Sequence, residues 1–251
     1  MKALDKWRWL SVLSMRVHHD TVMSISSPKT VLQEKPVFSL SRVQLSYEGR
    51  TVLTNVSFAI NAGERVALVG KSGVGKSTLL SALREQSAKA VAWCPQESGL
   101  VPSLSVYHNM YMGGLHRHGS LYNLVNLLLP WPHAWHEVSE LAALLQLEER
   151  LSCKLESLSG GQLQRVAIGR ALFAQKDIFL GDEPVSAVDD YQGEQLLELI
   201  AQRHETLVLA LHDVELALRV CDRVIGLKDG AIILDAQSAT LTAADLAQLY
   251  H

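Results

Sequence analysis

The chain has 251 residues, of which 48% are hydrophobic and 20% are charged, and its formal net charge is −3. This length suits one or two domains with a full core, and the apolar fraction excludes a wholly disordered chain. The near-neutral charge gives no strong electrostatic case for binding nucleic acid. Three widely spaced cysteines, Cys94, Cys153 and Cys221, argue against a disulfide framework and against a zinc site.

Residues 1–36 are predicted to form an N-terminal extension ahead of an organised domain over residues 37–251. Basic residues followed by the apolar patch Trp9 to Met15 superficially resemble a signal peptide. The patch is short, contains serines and precedes no small-residue cleavage site, so an ordinary extension is favoured over a targeting segment. Nowhere does the sequence hold the roughly 18 consecutive apolar residues of a membrane span.

The organised chain begins with short strands and turns that lead to a glycine-rich loop. An apolar run from Arg65 to Val69 is bounded by glycines, which is typical of a buried parallel strand. A helix is predicted over residues 76–85. The other strands predicted before the loop and after this helix cover residues 37–40, 43–47, 52–53, 56–60 and 91–93.

A helical insertion is predicted over residues 98–153. Leucines recur there at helical spacing, and the run is interrupted at Pro130 and Pro132. Strands and helices alternate again afterwards, which predicts an α/β fold with a largely parallel sheet. A hairpin turn is predicted at Asp229-Gly230. The later elements are predicted at residues 178–180, 196–203, 207–211, 214–220, 224–227 and 231–234.

The glycine-rich loop fits the phosphate-binding pattern G-x-x-x-x-G-K-[ST], with the residues Gly70-Lys71-Ser72-Gly73-Val74-Gly75-Lys76-Ser77. Its glycines let backbone N–H groups curl around phosphate oxygens, and the helix that follows adds its positive end. Lys76 is expected to reach the β- and γ-phosphates of a nucleotide, and Ser77 to offer its hydroxyl oxygen to Mg²⁺. A surface loop rich in glycine and lysine is the alternative, which the flanking strand and helix disfavour.

A second glycine-rich segment precedes a helical run over residues 163–172 and has the sequence Leu158-Ser159-Gly160-Gly161-Gln162. A capping serine, free backbone N–H groups and a helix N-terminus are typical of a second phosphate site. On its own, the segment is also compatible with a flexible loop before an amphipathic helix.

Together the two segments resemble the ATP-binding-cassette (ABC) family, the ATPase subunits of ABC transporters, whose signature motif Leu158 to Gln162 matches letter for letter. The resemblance covers about residues 37–235. It implies a P-loop NTPase core of the RecA-like type over residues 37–97 and 154–251, with an antiparallel β subdomain and the helical insertion. It also implies an enzyme that binds ATP and Mg²⁺ and hydrolyses ATP to ADP and phosphate.

The resemblance assigns roles to further residues. Tyr47 stands where the family has an aromatic residue that stacks on adenine, although a core tyrosine at a strand end is the alternative. Asp182 resembles the acid that holds Mg²⁺, and Glu183 the acid that activates the attacking water. His212 matches the switch histidine near the γ-phosphate, and Gln96 would contact Mg²⁺ and sense the membrane partner. The implied catalytic residues are Lys76, Glu183 and His212, the Mg²⁺ ligands are Ser77, Gln96 and Asp182, and the remaining nucleotide contacts are Tyr47, Gly70, Lys71, Ser72, Gly73, Val74, Gly75, Thr78, Ser159, Gly160, Gly161 and Gln162.

Two departures from the family pattern lead to structural predictions. Only 20 positions separate Lys76 from Gln96, which leaves no room for further strands and predicts a reduced antiparallel β subdomain. Gly181 stands where an apolar residue is usual. Because glycine weakens a strand interior, a small packing loss is expected at that position.

The resemblance implies partners as well. In this family the signature motif of one subunit completes the ATP site of another, so a head-to-tail dimer is expected, most simply a homodimer. Ser186 to Asp189 resembles the loop that couples the two sites. Separate integral membrane permease subunits and, indirectly, a substrate-binding protein are the other implied partners. The chain would lie at the cytoplasmic face of the inner (cell) membrane, and no nucleic acid is expected.

Finer similarities indicate a transported substrate. The segments Val106 to Met110 and Ala217 to Val224, with Trp131 and Trp135, are most similar to ATPases of phosphonate and related phosphorus-oxyanion importers. Alternatives are another substrate such as an amino acid, a lipoprotein-releasing or export complex, and an accessory ATPase of a soluble enzyme complex. A cassette acting on nucleic acid or ribosomes is disfavoured, because it would require two cassettes or basic patches.

Overall fold

The structure, a computed structural model, describes residues 36–96 and 99–250, so the predicted extension lies outside the described residues except for Pro36. The strands in these ranges are β1 Phe38–Tyr47, β2 Arg50–Ile60, β3 Arg65–Val69, β4 Val91–Cys94, β5 Ile178–Asp182, β6 Thr206–Ala210, β7 Arg223–Lys228 and β8 Ala231–Gln237. The α-helices are α1 Lys76–Gln86, α2 Val106–Tyr111, α3 Ser120–Leu128, α4 Pro132–Leu144, α5 Gly160–Phe173, α6 Asp190–Arg203, α7 Val214–Val220 and α8 Ala243–Ala247. Short 3₁₀ segments cover Met112–Arg117, Glu148–Arg150, Leu155–Ser157 and Ser238–Thr240.

Six strands form one sheet in the order β4-β5-β6-β3-β7-β8, and every neighbouring pair is parallel except β7 and β8. The central strands β3, β5 and β6 are short apolar runs buried on both faces, as parallel strands covered by helices must be. Their carboxyl ends meet at one edge of the sheet, so the loops that follow them are brought together there.

The sheet separates two hydrophobic cores, because successive residues of a strand face opposite sides. Val66 and Leu68 of β3 belong to the core formed with α1, β1 and β2. Ala67 and Val69 belong to the larger core formed with α5, α6 and α7, and that core continues into the helical insertion. The fold therefore has three layers, with the main sheet in the middle.

The strands β1 and β2 form a separate two-stranded antiparallel sheet beside α1. Between α1 and β4 the chain makes only a turn over residues 87–90, so the predicted reduction of the β subdomain is confirmed. The short strands predicted within residues 37–47 are one continuous strand. Register shifts between Leu40 and Leu45, with Arg42 in left-handed backbone (φ 52°), absorb the break in the sequence pattern.

The helical insertion holds α2, α3 and α4, and its two ends meet. Ser105 and Lys154 form an isolated antiparallel bridge, and the N–H of Val106 donates to the carbonyl of Cys153 over 3.0 Å. From the insertion, α2 packs against α5 of the nucleotide-binding part in the larger core. In the ranges that the structure describes, no helix combines the length and apolar character required to cross a membrane.

Candidate active site

The phosphate loop, residues 70–77, leads from the end of β3 into α1 and lies directly against β2. Gly75 has a left-handed backbone with φ 111°. A Cβ atom on Gly75 would lie 2.8 Å from Val52 Cγ1 and 2.9 Å from Leu53 Cγ. Both its backbone and its surroundings therefore require glycine. This close approach places the antiparallel sheet beside the loop.

Lys76 begins α1 and turns its side chain back into the phosphate loop. Its buried ammonium donates to the carbonyls of Gly70 at 2.8 Å and Lys71 at 3.2 Å. Burial lowers the pKa of Lys76, and the charges of Glu183 and Asp182 oppose that shift. A cation thus lies within the loop that the sequence pattern assigns to phosphate.

A cleft of about 610 Å³ opens beside the phosphate loop. Tyr47, at the end of β1, lines it together with Leu45 and Val52 of the antiparallel sheet, and residues of α1 line it as well. Because the Tyr47 side chain is 62% exposed, it is not the core tyrosine that the sequence left as an alternative. An exposed aromatic ring beside a phosphate loop suits stacking on a flat base.

Asp182 ends β5 and is 4% exposed. The Ser77 hydroxyl donates a hydrogen bond to its carboxylate, while its Oδ1 atom has no hydrogen-bond partner among residues 36–96 and 99–250. Burial is the main cause of a raised pKa of Asp182. A buried carboxylate oxygen without a partner, next to a hydroxyl group, fits a hard cation such as Mg²⁺.

Glu183 adopts a left-handed backbone with φ 54°, which is unusual for a residue other than glycine. Its N–H donates to the carbonyl of Ala210 over 3.1 Å, and this bond ties the turn to β6. One carboxylate oxygen lies 2.6 Å from His212 Nε2, and the other accepts a 3.4 Å hydrogen bond from Gln96. The loops that follow β4, β5 and β6 therefore meet at this carboxylate.

The signature segment, residues 158–162, caps α5. Ser159 Oγ accepts a 3.3 Å hydrogen bond from the N–H of Gln162, whose side chain in turn accepts one from the N–H of Ser159 at 3.0 Å. Ser159 and Gly160 are exposed, and Gly161 lies against the loop that follows β5, near Ala187. Within the described chain, none of these residues lines the 610 Å³ cleft.

Comparison with known proteins identifies the family. A family model described as ABC transporter matches residues 53–88 and 83–186. The chain belongs to the ABC transporter family. It is accordingly an ABC ATPase that binds nucleotide, and the predicted fold class is confirmed.

Two relatives illustrate the range of proteins to which this ABC ATPase is similar. The phosphonates import ATP-binding protein PhnC of Caulobacter vibrioides is 32% identical over 250 residues, covering 86% of this chain and 93% of that protein. The macrolide export ATP-binding/permease protein MacB of Vibrio parahaemolyticus is 36% identical over 211 residues, covering 76% of this chain and 32% of that protein.

Solved structures agree with this family. The dimeric structure of the ATP-binding cassette MJ0796 in a post-hydrolysis state, bound to ADP and Pi, has a TM-score of 0.65 and 27% sequence identity. The match covers 80% of this chain and 98% of that cassette.

The small packing loss expected at Gly181 is wrong. A Cβ atom there would lie 2.8 Å from Phe179 Cε1 and 3.0 Å from both Leu209 Cδ2 and Pro184 Cγ. The Phe179 ring, itself 0% exposed, fills the space that a larger side chain would take. The glycine of this ABC ATPase is therefore matched to a large neighbour on the same strand and leaves no void.

Gln164 in α5 contacts the site, although the sequence did not single it out. Its amide nitrogen donates to the Glu183 carbonyl at 2.9 Å and to Ser186 Oγ at 3.2 Å, and its amide oxygen accepts from the N–H of Ala187 at 2.8 Å. These bonds tie the helix that follows the signature segment to the turn that carries Glu183. In the sequence, the only indication of this role is that Gln164 is a polar residue among the apolar positions of the helix.

Proposed function

We propose that this ABC ATPase powers import of a phosphonate or a related phosphorus oxyanion through separate membrane permease subunits, at the cytoplasmic face of the inner (cell) membrane. One observation carries the ATPase mechanism: Gln96 and His212 contact Glu183 beside the phosphate loop, where Ser77 donates to the neighbouring Asp182. The similarity to PhnC supports the substrate class. Residues 37–251 would form one ATPase domain, preceded by the extension over residues 1–36.

ATP binding is proposed to use both walls of the cleft. The adenine stacks on Tyr47, and the phosphates lie against the backbone of residues 70–78, where Lys76 contacts the β- and γ-phosphates. Ser77 and Asp182, with Gln96 beside them, would hold Mg²⁺. When bound, this ion neutralises charge on the β- and γ-phosphates.

Hydrolysis is proposed to depend on Glu183. Its carboxylate takes a proton from the water that attacks the γ-phosphorus, and the bond between that phosphorus and the β-phosphate oxygen breaks. ADP leaves with the electron pair of that bond, and phosphate is the second product. His212 and Gln96 orient the carboxylate, since they contact its two oxygens.

A head-to-tail dimer is proposed because the signature segment does not line the 610 Å³ cleft of its own chain. Ser159, Gly160 and Gly161 of a second copy would close the open side of the bound γ-phosphate. The dimeric state of the similar MJ0796 cassette, bound to ADP and Pi, supports the association of two copies. The dimer would separate after hydrolysis, because the γ-phosphate that bridges the two subunits is then cleaved from the nucleotide.

Size-exclusion chromatography with ATP tests the dimer. Glu183→Gln should bind ATP, fail to hydrolyse it and accumulate as a dimer. Lys76→Ala, which removes the cation from the phosphate loop, should remain a monomer under the same conditions. A Glu183→Gln protein that stays monomeric in saturating ATP would contradict the proposed dimer.

An apolar surface on α3 supports a membrane permease as a partner. The hydroxyls of Tyr107 and Tyr111 donate to Asn126 at 3.0 Å and Asn123 at 2.8 Å, so α3 turns its asparagines towards α2. The outward side is apolar, and residues 98–136 contain no Asp or Glu. Exposed apolar patches of this kind mark interaction sites. The exposed residues, here named the α3 leucine surface, are Leu121, Leu124, Leu127, Leu128 and Leu129.

Affinity capture tests the permease partner. Tagged Glu183→Gln with ATP and detergent should retain a multi-span membrane protein from the native cell. The double variant Leu121→Glu/Leu128→Glu should lose it. Leu144→Glu should keep it, because Leu144 is a 52% exposed leucine on α4, outside the α3 leucine surface. Recovery of soluble enzymes alone would favour the alternative, an accessory ATPase of a soluble complex.

Growth on a phosphonate as the sole phosphorus source tests the substrate. Cells that lack this chain should stop growing, and the wild-type chain should restore growth while Glu183→Gln should not. Undiminished growth without the chain would refute phosphonate import. The alternative would then be another transported substrate, as the similarity to MacB illustrates.

A further inference from the structure

The segment after β8 packs onto the main sheet and brings Tyr250 beside the ATP site. Leu249 is 1% exposed, and a Cβ atom on Gly226 of β7 would lie 2.9 Å from Leu249 Cδ1. Lys228 Nζ, also on β7, donates to the carbonyl of Gln248 at 3.0 Å. These contacts fix the position of the next residue, Tyr250.

Tyr250 places its hydroxyl group between two loops of the site. The hydroxyl donates to the backbone carbonyl of His212 over 3.4 Å. It also forms a hydrogen bond with the backbone of Gly70, the first residue of the phosphate loop. A tyrosine hydroxyl is protonated at neutral pH, and burial raises the pKa of Tyr250 further. The hydroxyl group is therefore available as a hydrogen-bond donor.

We propose that Tyr250 is a positioning residue for ATP hydrolysis, and that its hydroxyl group fixes the His212 loop relative to the phosphate loop. The carbonyl that it holds belongs to His212 itself, whose imidazole lies 2.6 Å from the Glu183 carboxylate. A displacement of that backbone would lengthen the contact with Glu183 and slow activation of the water. The inference rests on the role proposed above for His212.

Steady-state ATPase kinetics of Tyr250→Phe test the inference, because this change removes the hydroxyl and keeps the ring. We expect kcat to fall about fivefold, as for the loss of one hydrogen bond, while the KM for ATP changes less than about twofold. Tyr122→Phe is the matched control. It removes the same atom from a partly buried ring that stacks on Trp131 in the helical insertion, and its kcat should equal that of the wild type.

A double-mutant cycle with His212→Ala separates positioning from a general loosening of the fold. Tyr250→Phe should cause no further loss of kcat in the His212→Ala background, and losses that multiply would overturn the proposal. A raised KM with unchanged kcat would also overturn it, since the hydroxyl would then act on ATP binding. An unimpaired His212→Ala would refute the role of His212 as well, whereas an impaired His212→Ala beside a fully active Tyr250→Phe refutes this inference alone.

Discussion

Replacing Gly181 with alanine is expected to destabilise the protein, although alanine is ordinarily preferred to glycine within a strand. The new Cβ would lie 2.8 Å from Phe179 Cε1 and 3.0 Å from Leu209 Cδ2, whereas ordinary contacts begin at 3.4 Å. The neighbours would therefore have to move by several tenths of an ångström within a close-packed core. Overpacking of this kind costs about 1–3 kcal/mol, which exceeds the gain of about 0.5–1 kcal/mol from removing glycine.

Urea denaturation measures this effect, with a matched glycine elsewhere as control. Gly193→Ala in α6 should leave the free energy of unfolding unchanged or raise it, because its nearest neighbour, Val185 Cβ, would lie 3.6 Å away. The double variant Phe179→Leu/Gly181→Ala should be more stable than the sum of its single changes predicts, since the smaller side chain vacates the space. Equal stability of Gly181→Ala and the wild type would refute the reasoning.

Three further changes follow from the site and the core. Glu183→Gln should retain ATP binding and lower kcat by about 10³-fold, equivalent to roughly 4 kcal/mol of transition-state stabilisation, and a wild-type turnover rate would exclude Glu183 as the base. Burial raises the pKa of Asp182, so ionisation of this acid opposes folding as the pH rises. Asp182→Asn should therefore raise the thermal stability of the ligand-free protein at pH 8. The same change should abolish the stabilisation that Mg²⁺ and ATP give. His204, buried against Phe179, should make the protein acid-sensitive. Burial lowers its pKa, so the unfolded chain takes up a proton more readily and stability is lost as the pH falls below the ordinary value of 6.5. His204→Gln should show a smaller loss between pH 7 and about pH 5 in the same melts, and an identical loss would assign it to other groups.

Local sequence patterns predicted the elements whose signals are local. The strand from Arg65 to Val69 and the helix from Val214 to Val220 have the predicted bounds, because continuous burial or helical periodicity fills each completely. The start of α6 was predicted six residues late, at 196 instead of Asp190. The polar first turns of α6, which contain Gly193, conceal its periodicity, and its capping residue Asp189 was assigned to a loop.

Contacts between distant parts of the chain could not be predicted in this way. The fit of Gly181 depends on Leu209 and Pro184 as well as on Phe179, and only the folded strands bring these side chains together. The hydrogen bond between Tyr250 and the His212 loop spans 38 positions. A short stretch of sequence cannot predict these contacts, because they arise from how distant elements cover the sheet and not from local propensity.

The hydrophobic core on one face of the sheet runs from Ala67 of β3 to Val138 of α4. This continuity determines how the protein unfolds. The helical insertion shares its buried surface with the nucleotide-binding part, so neither part can lose its packing without exposing the other. Heating should therefore melt both in a single cooperative transition, and amide hydrogens of α4 and β3 should exchange with the same global free energy. A ligand bound at the phosphate loop would then protect the distant helices from exchange as strongly as the strands it touches.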